Sequence, residues 1–566
     1  MENNLNNNEM NNNYNDTSNY NYEKKNNGVK VLLIIVIVLV LCLIGLLSYK
    51  VFVLDKKKQN NKNETKQIEQ KTQEFKSSYR MSGNSLEDFD LYFMQLENKE
   101  ENMVYSPLSI KYALSMLKEG TDGKSKEQID TVVGDYVSKK YENSKNMSLA
   151  NALFIRDSYK DSVKTTYIDA LKNKYNAEVI YDKFENTNNI NKWVSEKTFN
   201  LISNLLNSVD NNNFILTNAL AIDMEWVKKI QGEDIPDQYY EYFLHENYEK
   251  RIMPLGFSGY NKLKFDGNKN GVKSLEIGAV ANRYDIVNEL GEENIKNKVL
   301  NEYKKWIDGG CLERNGKDYC DNLSEEYDID TYIKELNTGY KKISSSTDFE
   351  FYVDNNVKMF AKDLKEYDGS KLQYIGIMPI QEELSKFVKD LDSKKVSNYI
   401  SNLKEIKLEN FDDKVITEIY GYIPMFDFDY ELDLIKDLNS LGITDVFDSD
   451  KSDLSKITNI SGTYISDAAH KANIEFSNDG IKASAATYFG GAGAAGPGPF
   501  DYIYEVPVKK IDLTFDKPYI FIIRDKDTGE VWFIGSVYNP TEIKCEDINM
   551  DYYGVDDWYI KNCTNN

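Results

Sequence analysis

The sequence predicts a mixed α+β domain carried behind one transmembrane helix, and three stretches of the chain carry that reading. Val31 to Leu47 is unbroken apolar sequence apart from Gly45. From Asn84 to Pro540, capped helical segments are intermixed with short buried-strand runs. Near the C-terminus a strand-like run from His470 to Ser477 leads into Asp479-Gly480, a turn dipeptide. Small residues follow, then a Gly490 to Pro499 segment that cannot build a core.

With 566 residues, 41% of them apolar, the chain can bury a large core in one main domain and leave room for additions. The balance of 69 basic to 92 acidic residues gives a net charge of −23, which argues against nucleic acid or an anionic lipid surface as partner. Residues 1–29 are dominated by Asn and are expected to be a disordered tail. Residues 30–50 then hold about 20 residues of the length and polarity that span a hydrocarbon core, with membrane contact over 31–49. A buried soluble helix would carry a polar stripe, and none interrupts the run. A cleaved signal peptide is the other alternative, opposed by the long preceding tail and by the lack of a small-x-small site after the run. Cys42 follows Leu41 rather than a small residue, and reads as a buried thiol rather than a lipid-bearing one.

Orientation rests on opposing signals. Lys50, Lys56, Lys57 and Lys58 after the span count against export of the C-terminal part, against Lys24, Lys25 and Lys30 before it. The four remaining cysteines fall into two local pairs, Cys311 with Cys320 and Cys545 with Cys563, as suits disulfides in an oxidising compartment. Free thiols or a four-cysteine metal site is the alternative, but with two histidines and no CxxC, zinc is not expected and no metal is assigned. The expectation is a single-pass protein of the cell membrane with its domain extracellular. Residues 51–83, rich in Lys, Gln, Asn and Glu, read as a solvated linker.

The domain is expected over 84–540. Ser85 with Asp88 can cap a first helix whose apolar face is Leu86, Phe89, Phe93 and Leu96. Tyr105 to Ile110 opens a second helix that stops at Gly120-Thr121-Asp122-Gly123. Ala150 to Ile155 and Phe214 to Leu220 read as buried strands, and Ile190 to Ile202 as a helix with one apolar side. Phe349 to Val353, Lys358 to Ala361 and Tyr374 to Pro379 are further strands, and Glu382 to Leu391 a helix. Between Lys228 and Ser346 the chain is charged and shows no sustained apolar period, although Asn294 to Trp306 looks helical. We expect an insertion at 228–346, clipped by Cys311 and Cys320, and a tail at 541–566 holding Cys545 and Cys563.

From Ile481 to Tyr488 the odd positions are Ile, Ala, Ala and Thr, so one face is smaller and drier, the mark of a segment able to become a strand. Such an edge is a liability unless pairing is its purpose. The stretch Gly480-Ile481-Lys482-Ala483-Ser484-Ala485-Ala486-Thr487 resembles the hinge of the serpin family. Leu513 to Asp525 and Thr528 to Pro540 resemble its C-terminal signature, with Tyr519 where Phe is usual. The resemblance implies the serpin fold, mixed β-sheets with about nine helices and an exposed reactive loop. It also implies a monomeric inhibitor of serine or papain-like cysteine proteases that needs no cofactor and is not an enzyme. On this resemblance Ser106, Ser109, Asn218, Trp226 and His470 control sheet opening. Helix capping would explain either serine as well, and a plain core aromatic would explain Trp226. Ile481 stands where a small hydroxyl residue is usual and is expected to slow insertion; Asn478 replaces a usual Glu and so removes a restraining ion pair.

Counting fourteen residues from Gly480, the family's interval, places the scissile bond at Ala494-Ala495, with Phe500, Tyr502 and Tyr504 as alternative baits. Catalysis by a Ser-His or Cys-His device would need His245 or His470. His470, beside Ala469 and Ala472 on a strand pattern, is expected in the core. The glycines at 491, 493 and 496 spell GxGxxG, but Pro497-Gly498-Pro499 comes next, where a phosphate-binding helix would have to start. The runner-up reading is a non-inhibitory serpin fold that binds partners through the inserted subdomain.

Overall fold

The computed structural model describes residues 79–137, 139–209, 212–230, 240–244, 250–254, 265–266, 271–308, 341–367, 369–481, 507–542 and 544. The apolar run at 31–47, loop residues 482–506, His245 and the cysteines at 311, 320, 545 and 563 lie outside them. Among the described residues, no helix is long and apolar enough to cross a membrane.

Helix α1 (Asp88–Glu97) starts two residues later than the Ser85 cap would place it. Glu87 is the N-cap, and its N–H donates to the Asp90 carboxylate at 2.9 Å. Leu96, expected on the buried face, is exposed because the helix presents Phe89, Leu91, Tyr92, Phe93 and Met94 inward. After β1 (Met103–Tyr105), α2 (Pro107–Gly120) opens on Ser106, whose hydroxyl accepts from the Ser109 N–H at 3.0 Å, with Pro107 at the first helical position. Helix α3 (Gly123–Val133), β2 (Met147–Arg156), α4 (Thr165–Tyr175), β3 (Glu178–Asp182), α5 (Asn188–Lys197), β4 (Phe214–Ile222) and the short β5 (Met224–Glu225) come next.

Within the stretch set aside as an insertion, the structure has a hairpin of β6 (Tyr240–Leu244) and β7 (Lys250–Pro254), then β8 (Ser274–Asn282), α6 (Ile286–Leu290), α7 (Glu292–Asp308) and β9 (Lys342–Ser345). β8, which lies inside that stretch, pairs along its whole length with β14 (Ile416–Pro424). Its residues Leu275, Ile277, Ala279, Val280 and Ala281 are buried on both faces, which erases the alternation a half-buried strand would show. The remaining elements are β10 (Glu350–Val353), β11 (Val357–Asp363), β12 (Leu372–Pro379), α8 (Leu384–Lys389), α9 (Ser393–Ser401), β13 (Lys404–Glu405), β15 (Phe426–Asp433), α10 (Leu434–Leu441), β16 (Ala469–Phe476), β17 (Gly480–Ile481), β18 (Val508–Asp512), β19 (Tyr519–Asp525) and β20 (Val531–Val537).

The central sheet has seven strands in the order β1-β20-β19-β12-β11-β10-β13, all antiparallel. A second sheet, β18-β14-β8-β9, pairs β18 parallel to β14. Two further groups, β3-β2-β4 and β15-β16-β17-β5, complete the strands that bear on function. Helix α2 packs between β4 and β20. Under it lies an ion pair with neither side chain exposed, Lys111 to Asp90 at 2.6 Å, and the Lys111 ammonium also faces the Tyr136 ring. Burial pushes the Asp90 carboxyl up to about 6 even with its cation present.

That pair yields a stability prediction. Lys111→Met should cost about 3–5 kcal/mol by leaving Asp90 buried without a cation. Adding Asp90→Asn should recover much of it. Urea unfolding of the three proteins checks both statements.

Candidate functional site

β4 and β16 lie side by side without pairing. Among the described residues β4 bonds only to β2, and β16 to β15 over its whole length but to β17 at one residue pair. Because β17 runs antiparallel both to β5, which continues β4, and to β16, the two unpaired strands run parallel to each other. A strand placed between them would therefore be antiparallel to both.

Between them are two cavities in series. One, of only about 10 Å³, has Leu220, Ala221 and Ile222 on the β4 side, Asn473, Ile474 and Glu475 on the β16 side, and Ile523 and Phe533 of the central sheet beneath. The other, of about 20 Å³, lies between Asn218, Ala219 and Leu220 and the facing His470, Lys471 and Ala472, with Ser106 and Ser109 below. Val194 of α5 and the Ile202 to Leu205 segment cover it.

The mouth of this gap is occupied by the first two residues of the small-residue segment. Gly480 pairs with Glu225, and Ile481 with Met224 on one side and Phe476 on the other. Ile481, expected to hinder insertion, is already buried there at 2% exposure and lines the first cavity. Gly480 is required by space, because a Cβ would sit 2.1 Å from the Met224 carbonyl oxygen.

The turn before it is gripped by residues 226–230. The Trp226 N–H donates to the Asp479 carbonyl at 2.9 Å, its indole Nε1 to the Ser477 carbonyl at 2.9 Å, and the Ile230 N–H to the Asn478 carbonyl at 3.0 Å. Lys229 forms an ion pair with Asp479 at 2.7 Å, so a restraint lost at Asn478 is supplied one residue later. Trp226 is both a core aromatic, with no exposed surface, and a hydrogen-bond partner of the hinge.

At the other end a chain of hydrogen bonds crosses the gap floor. His470 Nε2 accepts from the Ser106 N–H at 2.9 Å, and the Ser109 hydroxyl donates to Asn218 Oδ1. Asn218 Nδ2 donates to Asn151 Oδ1 at 2.7 Å, and Asn151 Nδ2 to the Tyr175 carbonyl at 2.8 Å. The structure thus brings together Ser106, Ser109, Asn218 and His470 and holds Trp226 at the opposite end. Asn151 was missed from sequence, although a single amide inside the apolar run Ala150 to Ile155 was its signal. Burial pushes the His470 imidazole down to about 4, which keeps Nε2 free to accept. Of the hinge residues, Gly480 and Ile481 are described; 482–487, Ala494 and Ala495 lie outside the described residues.

A family model described as serpin (serine protease inhibitor) matches residues 88–277 and 340–540. The match leaves out 278–339, a shorter stretch than the 228–346 set aside from sequence. An uncharacterized serpin-like protein of Methanosarcina acetivorans is 25% identical over 486 residues, 81% of this chain and 86% of that one. Human Serpin B3 is 23% identical over 493 residues, 80% and 97% of the two chains, and the leukocyte elastase inhibitor of Xenopus tropicalis is 22% identical over 476 residues, again 80% and 97%. Among solved structures, the native state of the thermophilic serpin tengpin superposes with a TM-score of 0.51 at 20% identity, covering 81% of this chain and 97% of that one.

The depressed His470 value fixes a pH dependence. The unfolded chain binds a proton at this site near 6.5 and the folded one only near 4, so the stabilisation is fully present above 6.5 and is lost as pH falls toward 4. Up to roughly 3 kcal/mol of pH-dependent stability should vanish over that window. His470→Gln, which keeps an acceptor for Ser106 but does not titrate, should flatten the difference when urea midpoints are compared from pH 7 to pH 4.

Proposed function

The chain belongs to the serpin family, and from that premise we propose that it is a suicide inhibitor of serine proteases, or of papain-like cysteine proteases, working by insertion of its cleaved loop between β4 and β16. The observation that carries this reading is β17, paired on both sides at the mouth of a gap with two unpaired strand edges. Continued without slip, that register sets Ala483 between Ile222 and Ile474, Ala485 between Leu220 and Ala472, and Thr487 between Asn218 and His470. The facing residues narrow to Ala472 at the middle position, where the incoming side chain is itself a methyl.

In this mechanism the protease nucleophile attacks the carbonyl carbon of Ala494. The Ala494-Ala495 amide breaks, the new amine of Ala495 takes a proton and leaves, and Ala494 stays bound to the nucleophile as an ester or thioester. Residues 481–494 then become a strand between β4 and β16. With Ile481 already seated, the thirteen residues that enter, at about 3.3 Å each, carry the attached protease about 43 Å. Both edges gain partners, which is the driving force, and the outcome depends on insertion outrunning hydrolysis of the acyl bond. Small residues around Ala494 suit a protease with a shallow specificity pocket, and the name of the Xenopus relative supports an elastase-like target. The apolar run over 31–49 supports a form tethered to the cell membrane with this domain outside.

Incubation with an elastase-like or subtilisin-like protease should yield a complex that survives boiling in detergent, and the cleaved inhibitor should melt at a higher temperature than the intact one. Ala485→Arg would have to bury an unpaired charge against Leu220 and Ala472, so the yield of complex should drop at least about tenfold in favour of plain cleavage. A protease that nicks the loop and stays fully active, with no gain in melting temperature, would defeat this reading. On intact cells, protease shaving should release the domain into the medium; a domain protected until lysis would place it on the other side.

A further inference from the structure

The segment that grips the hinge is itself held by a buried cation. Lys362 on β11 is 1% exposed. Its ammonium donates to the Thr347 hydroxyl at 2.7 Å, the Asp348 carbonyl at 2.7 Å and the Asp348 carboxylate at 2.6 Å. Three N–H groups meet three acceptors, and an ammonium has no lone pair, so it can only donate. The Thr347 hydroxyl must therefore turn its own proton elsewhere. The carbonyls of Lys228 and Lys229 stand 3.3 and 3.2 Å away, while the competing acceptor at 3.3 Å, the Asp348 carboxylate, is already engaged by Lys362. The Trp226 ring lies 5.9 Å from the same ammonium, and the Val227 N–H donates to the Asp363 carbonyl at 3.1 Å. One face of residues 226–230 thus meets Lys362 and Thr347, and the other meets the hinge turn.

We propose that Lys362, acting through the Thr347 hydroxyl, is a positioning residue that sets how firmly the hinge is seated in the mouth of the gap before any cleavage. The inference rests on the loop-insertion reading and adds a control to it. When Lys362 gives up a proton to solvent, the neutral amine keeps two N–H groups and gains a lone pair. Thr347 can then donate to the amine, and the carbonyls of Lys228 and Lys229 lose their partner. The charged groups around this amine are Asp348 across the 346–348 segment, Asp363 beside it on β11 and Lys228 on the grip. Burial outweighs the two carboxylates and lowers the amine to about 8, so the reversal falls within a physiological range of pH.

Amide hydrogen exchange on the full, uncleaved chain tests this at Trp226, Ile230 and Ser477, whose N–H groups are bonded across the grip or within the hinge turn. Thr347→Val is expected to speed exchange there at least about tenfold relative to the amides of β12, while Thr347→Ser keeps the wild-type rate. After correction for base catalysis, wild-type protection should step down above about pH 8, and Thr347→Val should lack the step. Wild-type exchange in Thr347→Val, or a step that survives in it, overturns the proposal. No protease enters this measurement, so a chain that forms no protease complex yet shows these shifts refutes the inhibitor reading and leaves the control of the hinge standing.

Discussion

Everything in this molecule answers to two strand edges that face each other without a strand between them. Backbone N–H and C=O groups on such edges are costly to bury and prone to capture another chain. Here β4 and β16 are separated but covered: α5 and the segment after it lie over the gap, and Ile523 and Phe533 close it from the central sheet. The arrangement is tolerable only because each end is fastened, by β17 at the mouth and by the His470 cluster at the base.

The two fastenings differ in chemistry and therefore in sensitivity. At the base the contacts are among neutral groups, with a single imidazole whose protonation would set two donors, itself and the Ser106 N–H, against each other. At the mouth they combine backbone hydrogen bonds with an ion pair, Lys229 to Asp479, whose lysine is 41% exposed. Partly solvated pairs of that kind weaken with salt, whereas the base cluster should be indifferent to it. Acid and ionic strength thus act on opposite ends of the same gap.

How much of this could be read from the residues alone differs between mouth and base. The pairing of Gly480 and Ile481 follows from the strand-like run and turn dipeptide before them, and the burial of His470 from its flanking alanines, which mark a strand. Bulk at Ile481 suggests obstruction, and its burial at the gap mouth beside Leu220, Ile222 and Ile474 could not be foreseen from the residue type. β8 escaped notice because burial on both faces removes the two-residue period. Lys362 and Thr347 were invisible for a different reason. Their importance comes from contacts between β11, the 346–348 segment and residues 226–230, and nothing in the local sequence of any of the three announces the others.

The seating of Gly480 and Ile481 also bears on kinetics. Threading a free chain into a sheet begins with a search, in which the slow event is finding the first correct pair in the correct phase. Here that pair exists before the chain is cut, and Gly480 admits no side chain that could shift it. In the proposed insertion, the severed segment would have only to zip onward from a start that is already made, and a slip by one residue, which would turn every side chain to the wrong face, would be forestalled at the outset.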